Sequence, residues 1–420
     1  MVSIIATVLV LGAQPAVPPD ELLTLAPGWT ATVVATVDQS YVGWDVEIGD
    51  ADNDGKNEIL TTGCPDSRLY LFEKSDTGWE TRLLAENLAE RKPGMGLAVR
   101  VADLNRDGAN EVVLGTGQEG EGTAFLYVFR TDGMTVTPLA VSRPDCNKSG
   151  FTHNLAFRDL DKDGVDEIVS AYCSGGEIVR YDLDPALSRI DARLLHTLSG
   201  SGEEALIADV DNDSAVEFIT SNSFREGRAR VEIFEFNPEG ELVLPPRIAL
   251  EGFEGNSCFY ASIAVGDVDN DGANEMIVGW KREQKVNKAT LVGYRVGDAA
   301  EPAYTFERET EDLDMGYFEK MMAIADADND GKNELVVSTR GDNMSELIAS
   351  QHLGHVFRYT VDANGAVARE LLANLDDRYA ESSWLAVGDA DNDGLNEVVL
   401  ATGKGDRTLP GTSYVVMLKR

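Results

Sequence analysis

The acidic residues of this 420-residue chain are concentrated in one short pattern that recurs seven times. The pattern is Asp-x-Asp-x-Asp-Gly-x-x-Glu, first found at residues 50–58, and successive copies begin 50 to 63 residues apart. Calcium takes six to eight oxygen ligands, and a tight loop can bring the side chains at positions 1, 3 and 5 to one point. Glycine at position 6 permits the sharp turn, position 7 offers its backbone carbonyl, and the Glu at position 9 completes the set. The spacing therefore predicts a calcium loop in each copy.

The seven predicted loops span residues 50–58, 103–111, 159–167, 209–217, 267–275, 326–334 and 389–397. Two of them depart from the pattern: Asn105 gives the second loop less charge, and Ser214 replaces glycine in the fourth, where we expect a strained turn. The predicted metal ligands are the residues at positions 1, 3, 5, 7 and 9 of each loop: Asp50, Asp52, Asp54, Lys56, Glu58, Asp103, Asn105, Asp107, Ala109, Glu111, Asp159, Asp161, Asp163, Val165, Glu167, Asp209, Asp211, Asp213, Ala215, Glu217, Asp267, Asp269, Asp271, Ala273, Glu275, Asp326, Asp328, Asp330, Lys332, Glu334, Asp389, Asp391, Asp393, Leu395 and Glu397.

Turn chemistry and other metals explain the pattern less well than calcium does. Asp, Asn and Gly favour turns without any metal, but turn formation does not require seven copies with three acidic or amide positions and a distal Glu. Magnesium dehydrates reluctantly and rarely occupies a site made of protein ligands alone. A helix–loop–helix calcium site needs Glu at position 12, where this chain has residues such as Thr61 and Leu114. Strand-like residues follow each copy, so the pattern indicates calcium loops in β-hairpins.

The charge balance also indicates bound cations. The chain has 36 basic and 73 acidic residues and a formal net charge of −37, which disfavours binding to nucleic acid or to an anionic membrane. Adaptation to high salt would spread acidic residues over the surface, whereas here they are clustered. Without metal the carboxylates of each loop repel one another, so we expect folding to be coupled to the binding of up to seven calcium ions.

The flanks of each loop predict the fold. A short apolar strand precedes each loop and another follows it; an aromatic-rich third strand, such as residues 69–72, and an amphipathic fourth, such as residues 81–84, complete the repeat. Four strands per repeat predict an all-β, seven-bladed β-propeller with four-stranded blades. The seventh repeat ends after its third strand, and residues 28–34 resemble the fourth strand of the first repeat. We therefore expect an N-terminal strand to complete the last blade and close the ring, giving one domain over residues 28–420.

The repeats resemble the FG-GAP/VCBS family, whose blades carry such a calcium loop between their first and second strands. Similar propellers occur in the head of integrin α subunits, in a fungal seven-bladed lectin and in many bacterial exported proteins. The resemblance covers about residues 28–420 and implies a propeller fold and calcium. It does not imply a ligand, because this fold hosts adhesion, sugar binding and polysaccharide cleavage.

The N-terminus predicts export. Residues 1–17 contain an apolar run that is long enough for a signal peptide and too short to span a bilayer, although no basic residue precedes it. No other stretch approaches membrane length, so we expect a secreted, periplasmic or cell-surface protein without membrane insertion. The four cysteines are compatible with export. Cys146 and Cys173 lie on connections that flank one blade, an arrangement that permits a disulfide.

The face opposite the calcium loops is the predicted binding face, because its connections carry irregular sequence that mixes aromatic and basic residues. Aromatic residues such as Tyr41, Trp44, Phe151 and Trp384 would suit stacking against carbohydrate, or would instead fill the central channel. The leading interpretation is a binding module for a glycan or a cell-surface partner. The connections concerned are residues 118–123, 145–153, 224–230, 281–288, 314–320, 340–355 and 404–412.

Two alternatives remain open at the level of sequence. A calcium-stabilised polysaccharide lyase would need a His or Tyr base, and His153 with Tyr172 or Tyr260 is the candidate among only four histidines. No spacing requires that constellation, so the sequence favours a protein that is not an enzyme. A protein–protein adhesion module resembling the integrin head is the other alternative.

Overall fold

The computed structural model describes residues 10–11, 23–38, 42, 45–88, 94–117, 124–131, 136–142, 150–173, 175–223, 229–252, 260–283, 286–310, 321–339, 354–375, 384–405 and 410–420. Within these ranges the regular secondary structure is entirely β-strand, as the sequence predicts. The strands, numbered along the chain, are β1 (Val10–Leu11), β2 (Leu23–Leu25), β3 (Thr30–Asp38), β4 (Val46–Gly49), β5 (Glu58–Gly63), β6 (Arg68–Ser75), β7 (Gly78–Ala85), β8 (Met95–Ala102), β9 (Glu111–Gly117), β10 (Leu126–Thr131), β11 (Val136–Ser142), β12 (Phe151–Thr152), β13 (Ala156–Arg158), β14 (Glu167–Cys173), β15 (Glu177–Leu183), β16 (Ile190–Thr197), β17 (Ser201–Gly202), β18 (Leu206–Ala208), β19 (Glu217–Ser223), β20 (Arg230–Glu235), β21 (Ile248–Glu251), β22 (Tyr260–Gly266), β23 (Glu275–Glu283), β24 (Val286–Val296), β25 (Ala300–Thr310), β26 (Met322–Ala325), β27 (Glu334–Ser338), β28 (Gly354–Val361), β29 (Val367–Leu375), β30 (Trp384–Gly388), β31 (Glu397–Gly405) and β32 (Pro410–Lys419).

Each repeat forms an antiparallel sheet in which sequence neighbours are also hydrogen-bonded neighbours. In the first repeat the order is β4-β5-β6-β7, and in the fifth it is β22-β23-β24-β25. The sheets of the second and third repeats are joined, because Phe151 in β12 pairs with Gly117 in β9 as well as with Cys173 in β14. The second strands β5 and β9 are buried along their whole length, whereas the fourth strand β16 is only partly covered. The apolar, β-branched second strands therefore form the centre of each sheet and the amphipathic fourth strands its outer edge.

The N-terminal segment joins the sheet of the last repeat. Strand β3 pairs antiparallel with β32, with Thr30 opposite Lys419 and Asp38 opposite Thr412, so the order is β3-β32-β31-β30. Two further N-terminal strands extend other sheets: β2 pairs with β29 of the sixth repeat, and β1 pairs with β7 of the first. Strand β3 thus takes the place of the fourth strand that the seventh repeat lacks.

Apolar side chains fill the spaces between sheets. One buried cluster lies between each pair of successive repeats, and another joins residues of the seventh repeat, such as Trp384 and Val399, to Val46 and Ile59 of the first. First strands of several successive repeats also contact one another, such as β22 with β26 and β26 with β30, and β4 contacts both β8 and β30. Successive antiparallel sheets that pack face to face around their first strands are the organisation of a β-propeller.

Of the predicted signal peptide, residues 1–17, only the two residues of β1 belong to the described part of the chain. The ranges given above contain no helix that is long and apolar enough to cross a bilayer.

Candidate metal centres

Each acidic loop joins the first and second strands of its repeat, as the sequence predicts. In the first repeat the loop starts after β4 and ends at Glu58, the first residue of β5. The backbone enters the left-handed region twice in each loop, for example at Asn53 (φ 63°) and Gly55 (φ 87°). These two reversals, at positions 4 and 6, fold the loop back on itself and turn its carboxylates inward.

A common set of hydrogen bonds holds all seven loops in the same conformation. The position-1 carboxylate accepts a hydrogen bond from the amide of position 6 at 2.9–3.2 Å. The position-5 carboxylate accepts one from the amide of position 7 at 2.8–3.1 Å. The position-9 Glu uses Oε2 to accept one from the amide of position 2 at 2.7–3.3 Å. These bonds fix the carboxylates at positions 1, 5 and 9, and in five loops the position-1 carboxylate also accepts the position-5 amide through its second oxygen. A carboxylate has about four lone-pair sites, so each still has acceptor capacity for a cation.

The first loop leaves three buried carboxylate oxygens without a hydrogen-bond donor: Asp50 Oδ1, Asp52 Oδ1 and Glu58 Oε1. One carboxylate oxygen from each of Asp50, Asp52 and Asp54 lies within 4.8 Å of the others, and the sixth loop brings four such groups together. Buried acceptors without partners are costly, so this arrangement fits a cation that oxygen atoms coordinate. The donor set of hard oxygens suits calcium.

Burial also raises the pKa of the Glu at position 9. The pKa of Glu58 rises to about 8 because burial disfavours its charged form and Asp52 adds repulsion. The pKa values of Glu167, Glu217, Glu275 and Glu334 rise to about 7 for the same main reason. A divalent cation among the loop oxygens would offset both burial and repulsion and favour the ionised form.

Every loop also receives one basic side chain from elsewhere in its repeat, which the sequence analysis did not anticipate. In the first loop Arg82 Nη1 lies 3.5 Å from Asp52 Oδ2. In the seventh loop Lys419 Nζ lies 3.0 Å from Asp391 Oδ2 and 2.8 Å from Glu397 Oε1, in the middle of the carboxylates. These bases offset part of the negative charge, and the one in the seventh loop lies among the carboxylates that are predicted to bind the metal. The residues concerned are Arg82, Arg130, Arg180, Arg247, Arg295, Arg358 and Lys419.

The two atypical loops keep the common fold. Ser214 adopts φ 76° where the other loops have glycine, so the strain expected at this residue is present. In the second loop Asn105 donates a hydrogen bond from Nδ2 to Asp107 Oδ2 at 3.3 Å. The Asn105 amide thus uses one lone pair of the Asp107 carboxylate. The second loop therefore has both a smaller negative charge and fewer oxygen lone pairs for a cation.

Asparagines at positions 4 and 8 tie neighbouring loops together. Between the seventh and first repeats, Asn392 Oδ1 accepts from the Asn57 amide at 2.7 Å and Asn392 Nδ2 donates to the Asn57 carbonyl at 2.9 Å. Asn57 Nδ2 in turn donates to the Asp389 carbonyl at 2.8 Å. We call this arrangement the asparagine clasp. The recurrence of asparagine at positions 4 and 8 of the loops was the available sequence signal. The clasps pair Asn53 with Asn110, Asn212 with Asn274, Asn270 with Asn333, Asn329 with Asn396 and Asn392 with Asn57.

A buried polar chain crosses the first strands, and sequence reasoning missed it too. Arg100 Nη1 donates to Asp45 Oδ2 at 2.7 Å, Arg100 Nη2 donates to Asn154 Oδ1 at 2.9 Å, and Asn154 Nδ2 donates to Glu204 Oε2 at 3.1 Å. Arg100, Asn154 and Glu204 line a cavity of about 330 Å³ with apolar residues of later repeats, including Ile263. Asp45, Asn154 and Glu204 each precede the first Asp of their loop by five residues, which was the sequence signal.

The predicted binding face falls largely outside the described residues. Residues 118–123, 145–149, 224–228, 314–320, 340–353 and 406–409 belong to that excluded part, as do Tyr41 and Trp44. The two described aromatic side chains of the face both pack inward. Trp384 is buried between the first and seventh repeats, and Phe151 packs against Cys64, Met95 and Leu97. For these two residues the structure favours a packing role over an exposed stacking platform.

The candidate catalytic histidine is buried as well. His153 is 5% exposed, stacks on Phe151 at 5.8 Å between ring centroids, and burial lowers its pKa to about 3. Tyr172 is completely buried, and its hydroxyl contacts that of Tyr181. Neither side chain is presented to a polymer, so the geometry does not favour the lyase alternative. Cys146, the predicted disulfide partner of Cys173, lies outside the described residues.

Comparisons with known proteins relate the chain to integrin α subunits. Mouse integrin alpha-IIb is 25% identical over 169 residues, which cover 35% of this chain and 16% of the integrin. Human integrin alpha-8 is 25% identical over 179 residues, which cover 37% of this chain and 17% of the integrin. Drosophila integrin alpha-PS3 is 28% identical over 144 residues, covering 30% and 13%. The similarity thus spans about a third of this chain and less than a fifth of each relative, and no protein-family model matches the chain.

Solved structures of other proteins superpose on most of the chain at low sequence identity. The Dos1 propeller is 9% identical with a TM-score of 0.49, over 92% of this chain and 95% of its own. A lectin of Agrocybe aegerita, whose structure concerns the recognition of non-reducing terminal N-acetylglucosamine, is 13% identical with a TM-score of 0.48. The superposition covers 88% of this chain and 93% of the lectin.

Proposed function

We propose that this protein is an exported, calcium-binding recognition module built as a closed seven-bladed β-propeller. The observation that carries the metal part of the proposal is the set of buried, donorless oxygens of Asp50, Asp52 and Glu58 in the first loop. Buried oxygens placed this way favour a cation, and the other six loops share the internal hydrogen bonds that give the first loop its shape. We expect up to seven calcium ions.

Seven blades and a closed ring are supported by the contacts between the seventh and first repeats. Strand β3 completes the sheet of the seventh repeat, an apolar cluster lies between the two repeats, and Asn392 clasps Asn57. Closure pairs or covers strand edges that would otherwise be open to aggregation. A closed scaffold of this kind presents its connections on two rigid faces.

The proposed recognition role depends on which face of the molecule is available to a partner. The acidic face is occupied by hydrogen bonds within and between loops, so we place the partner site on the opposite face, where the connections are longest and irregular. The proposed partner is a glycan or a cell-surface protein, and the partial similarity to integrin α subunits agrees with a cell-surface setting. The strongly negative chain is not expected to bind nucleic acid.

The metal part of the proposal is tested by comparing two Asp→Asn variants of the first repeat. Asp52→Asn replaces one carboxylate ligand with the weaker, uncharged amide oxygen, whereas Asp76→Asn makes the same charge change at an exposed turn between β6 and β7. Calcium titration of chelator-treated protein by calorimetry should show one fewer site, or one site weakened about tenfold or more, in Asp52→Asn only. Equal binding curves for the two variants would contradict calcium binding in the first loop.

The partner is tested separately with the calcium-loaded protein. Binding on a glycan array, together with an absorbance assay for unsaturated uronate products, distinguishes recognition from polysaccharide cleavage. Glycan binding without product formation supports the recognition module. Product formation that His153→Ala abolishes would replace it with the lyase, and binding to a purified cell-surface protein without glycan hits would identify a protein partner.

A further inference from the structure

Three side chains with different metal-binding groups converge between the third and fourth repeats. A ring nitrogen of His153, the Sγ of Cys173 and a carboxylate oxygen of Glu203 all lie within 4.8 Å of one another. They stand at the strand ends farthest from the acidic loops, because His153 precedes β13, Cys173 ends β14 and Glu203 lies between β17 and β18. None of the seven acidic loops contributes to this cluster.

The propeller repeat itself brings the three residues together. His153 and Glu203 occupy the same place in successive repeats, six residues before the first Asp of their loops, and Cys173 follows Glu167 by six residues. Pairing of Phe151 with Cys173 holds the His153 segment against β14. On the other side Gly202 approaches β14 closely, since a Cβ at this residue would lie 2.9 Å from the Ala171 Cβ. The cluster is therefore fixed by backbone packing on two sides.

The fold does not require metal-binding side chains here. Between the first and second repeats the same three places hold Trp44, Cys64 and Leu97, and Cys64 and Leu97 are buried there with Met95 in an apolar cluster. Each of the seven pairs of successive repeats has these same three places. In the sequence, the pair formed by the third and fourth repeats alone fills them with His, Cys and Glu. The other five sets are Leu97/Gly117/His153, Glu203/Ser223/Ala261, Ala261/Lys281/Lys320, Lys320/Arg340/Ser383 and Ser383/Gly403/Trp44.

Burial makes a cation favourable at this place. Glu203 is 1% exposed, and its neighbour Glu204 is also buried, so two carboxyl groups lie side by side out of solvent. A cation bound here would stabilise the ionised form of the buried Glu203. Cys173 is partly exposed, which leaves a route to solvent, and Ser201 Oγ donates a hydrogen bond to Cys173 Sγ at 3.4 Å. Such a donor stabilises a thiolate.

We propose that His153, Cys173 and Glu203 bind one zinc ion at a site separate from the calcium loops. Thiolate and imidazole ligands suit zinc and exclude calcium, which takes oxygen ligands. Zinc–ligand distances of about 2.0–2.3 Å place the ligand atoms about 3.5 Å apart. Since the three atoms already lie within 4.8 Å of one another, side-chain movements of about 1 Å would bring them to this spacing. Three protein ligands leave a fourth position for water.

The test uses the full chain stripped with chelator and then saturated with calcium, so that the acidic loops are filled. Cobalt(II) is titrated in as the spectroscopic probe, and zinc content is measured by elemental analysis after dialysis. We expect one equivalent of zinc and a cobalt–thiolate charge-transfer band in the near ultraviolet. Cys173→Ser should abolish the band and weaken zinc binding by at least about 100-fold.

The matched control is Cys64→Ser, which changes the equivalent cysteine of the first repeat and should leave band and stoichiometry intact. Glu203→Gln should keep the band but weaken binding, and unchanged melting in calcium verifies that each variant is folded. The proposal is overturned by a cobalt band that Cys173→Ser does not affect, by less than half an equivalent of zinc, or by peptide mapping that finds Cys173 in a disulfide with Cys146.

Discussion

At the scale of single residues, Ser214 is the clearest departure from the repeat. It holds φ 76° at a position where the other six loops use glycine, and a Cβ at those glycines would meet nothing within 4 Å. The difference between Ser and Gly here is thus backbone strain alone. A non-glycine residue in the left-handed region costs roughly 1–2 kcal/mol, of which the greater freedom of glycine in the unfolded chain returns about 0.5–1.

Ser214→Gly should therefore stabilise the calcium-loaded protein by about 0.5–1 kcal/mol and raise the affinity of the fourth loop several-fold. Thermal unfolding and calcium titration measure the two effects. The reverse change, Gly272→Ser in the fifth loop, is the matched control and should destabilise by a similar amount. If both substitutions shifted stability in the same direction, backbone strain at position 6 would not be the cause.

Lys419 leads to a second prediction about a single residue. Its ammonium lies among the Asp391, Asp393 and Glu397 carboxylates, whose hydrogen bonds raise the pKa of the lysine, and so stands where a metal would bind. Lys419→Met should raise the calcium affinity of the seventh loop by about tenfold and lower the stability of the calcium-free protein, since the carboxylates lose their internal cation.

Lys74→Met is the control for this prediction, because it removes the same charge outside the acidic loops. Lys74 lies over the Trp79 ring in the first repeat. Calorimetric titration of both variants at one ionic strength separates local from overall charge effects. An equal gain in affinity for the two variants would mean that net charge, rather than the position of Lys419, sets the affinity of the seventh loop.

At the scale of strands and loops, the asparagine clasp between the seventh and first repeats reports on ring closure. Asn392→Gly keeps the left-handed backbone and removes two hydrogen bonds to Asn57, which together contribute about 1–2 kcal/mol. We expect a loss of that size in the free energy of unfolding, measured with urea. Asn329→Gly, which breaks the clasp between the sixth and seventh loops, should cost the same.

Lys162→Gly is the control for the clasp variants. Lys162 occupies the same left-handed position, but the facing residue in the fourth loop is Val216, so this substitution should leave stability unchanged or slightly raised. In an open array of repeats Asn392 would have no neighbour to hold. Its replacement by glycine would then behave like Lys162→Gly rather than like Asn329→Gly.

Much of this architecture could be predicted from the sequence, because the periodic pattern is itself the physical cause of the structure. Alternating apolar strands around Asp50–Glu58 predicted the hairpin, and the missing fourth strand of the seventh repeat predicted the pairing of β3 with β32. The partners Arg82 and Lys419 could not be predicted, since they reach the loops from strands whose register a sequence leaves undetermined. The convergence of His153 with Glu203 likewise depends on how two sheets pack.

At the scale of the whole molecule, stability should depend on calcium. If free calcium is tenfold above the dissociation constant of a loop, that loop contributes about 1.4 kcal/mol, and seven filled loops contribute on the order of 10 kcal/mol. A natural domain is stable by only about 5–15 kcal/mol, so removal of the metal should bring the chain close to its unfolding midpoint. We expect chelation to lower the melting temperature by more than about 10 °C and recalcification to restore it. Magnesium at the same concentration is the control and should restore little, because it dehydrates reluctantly. A melting temperature that chelation moved by less than about 2 °C would show that Arg82, Lys419 and their counterparts neutralise the loops without metal.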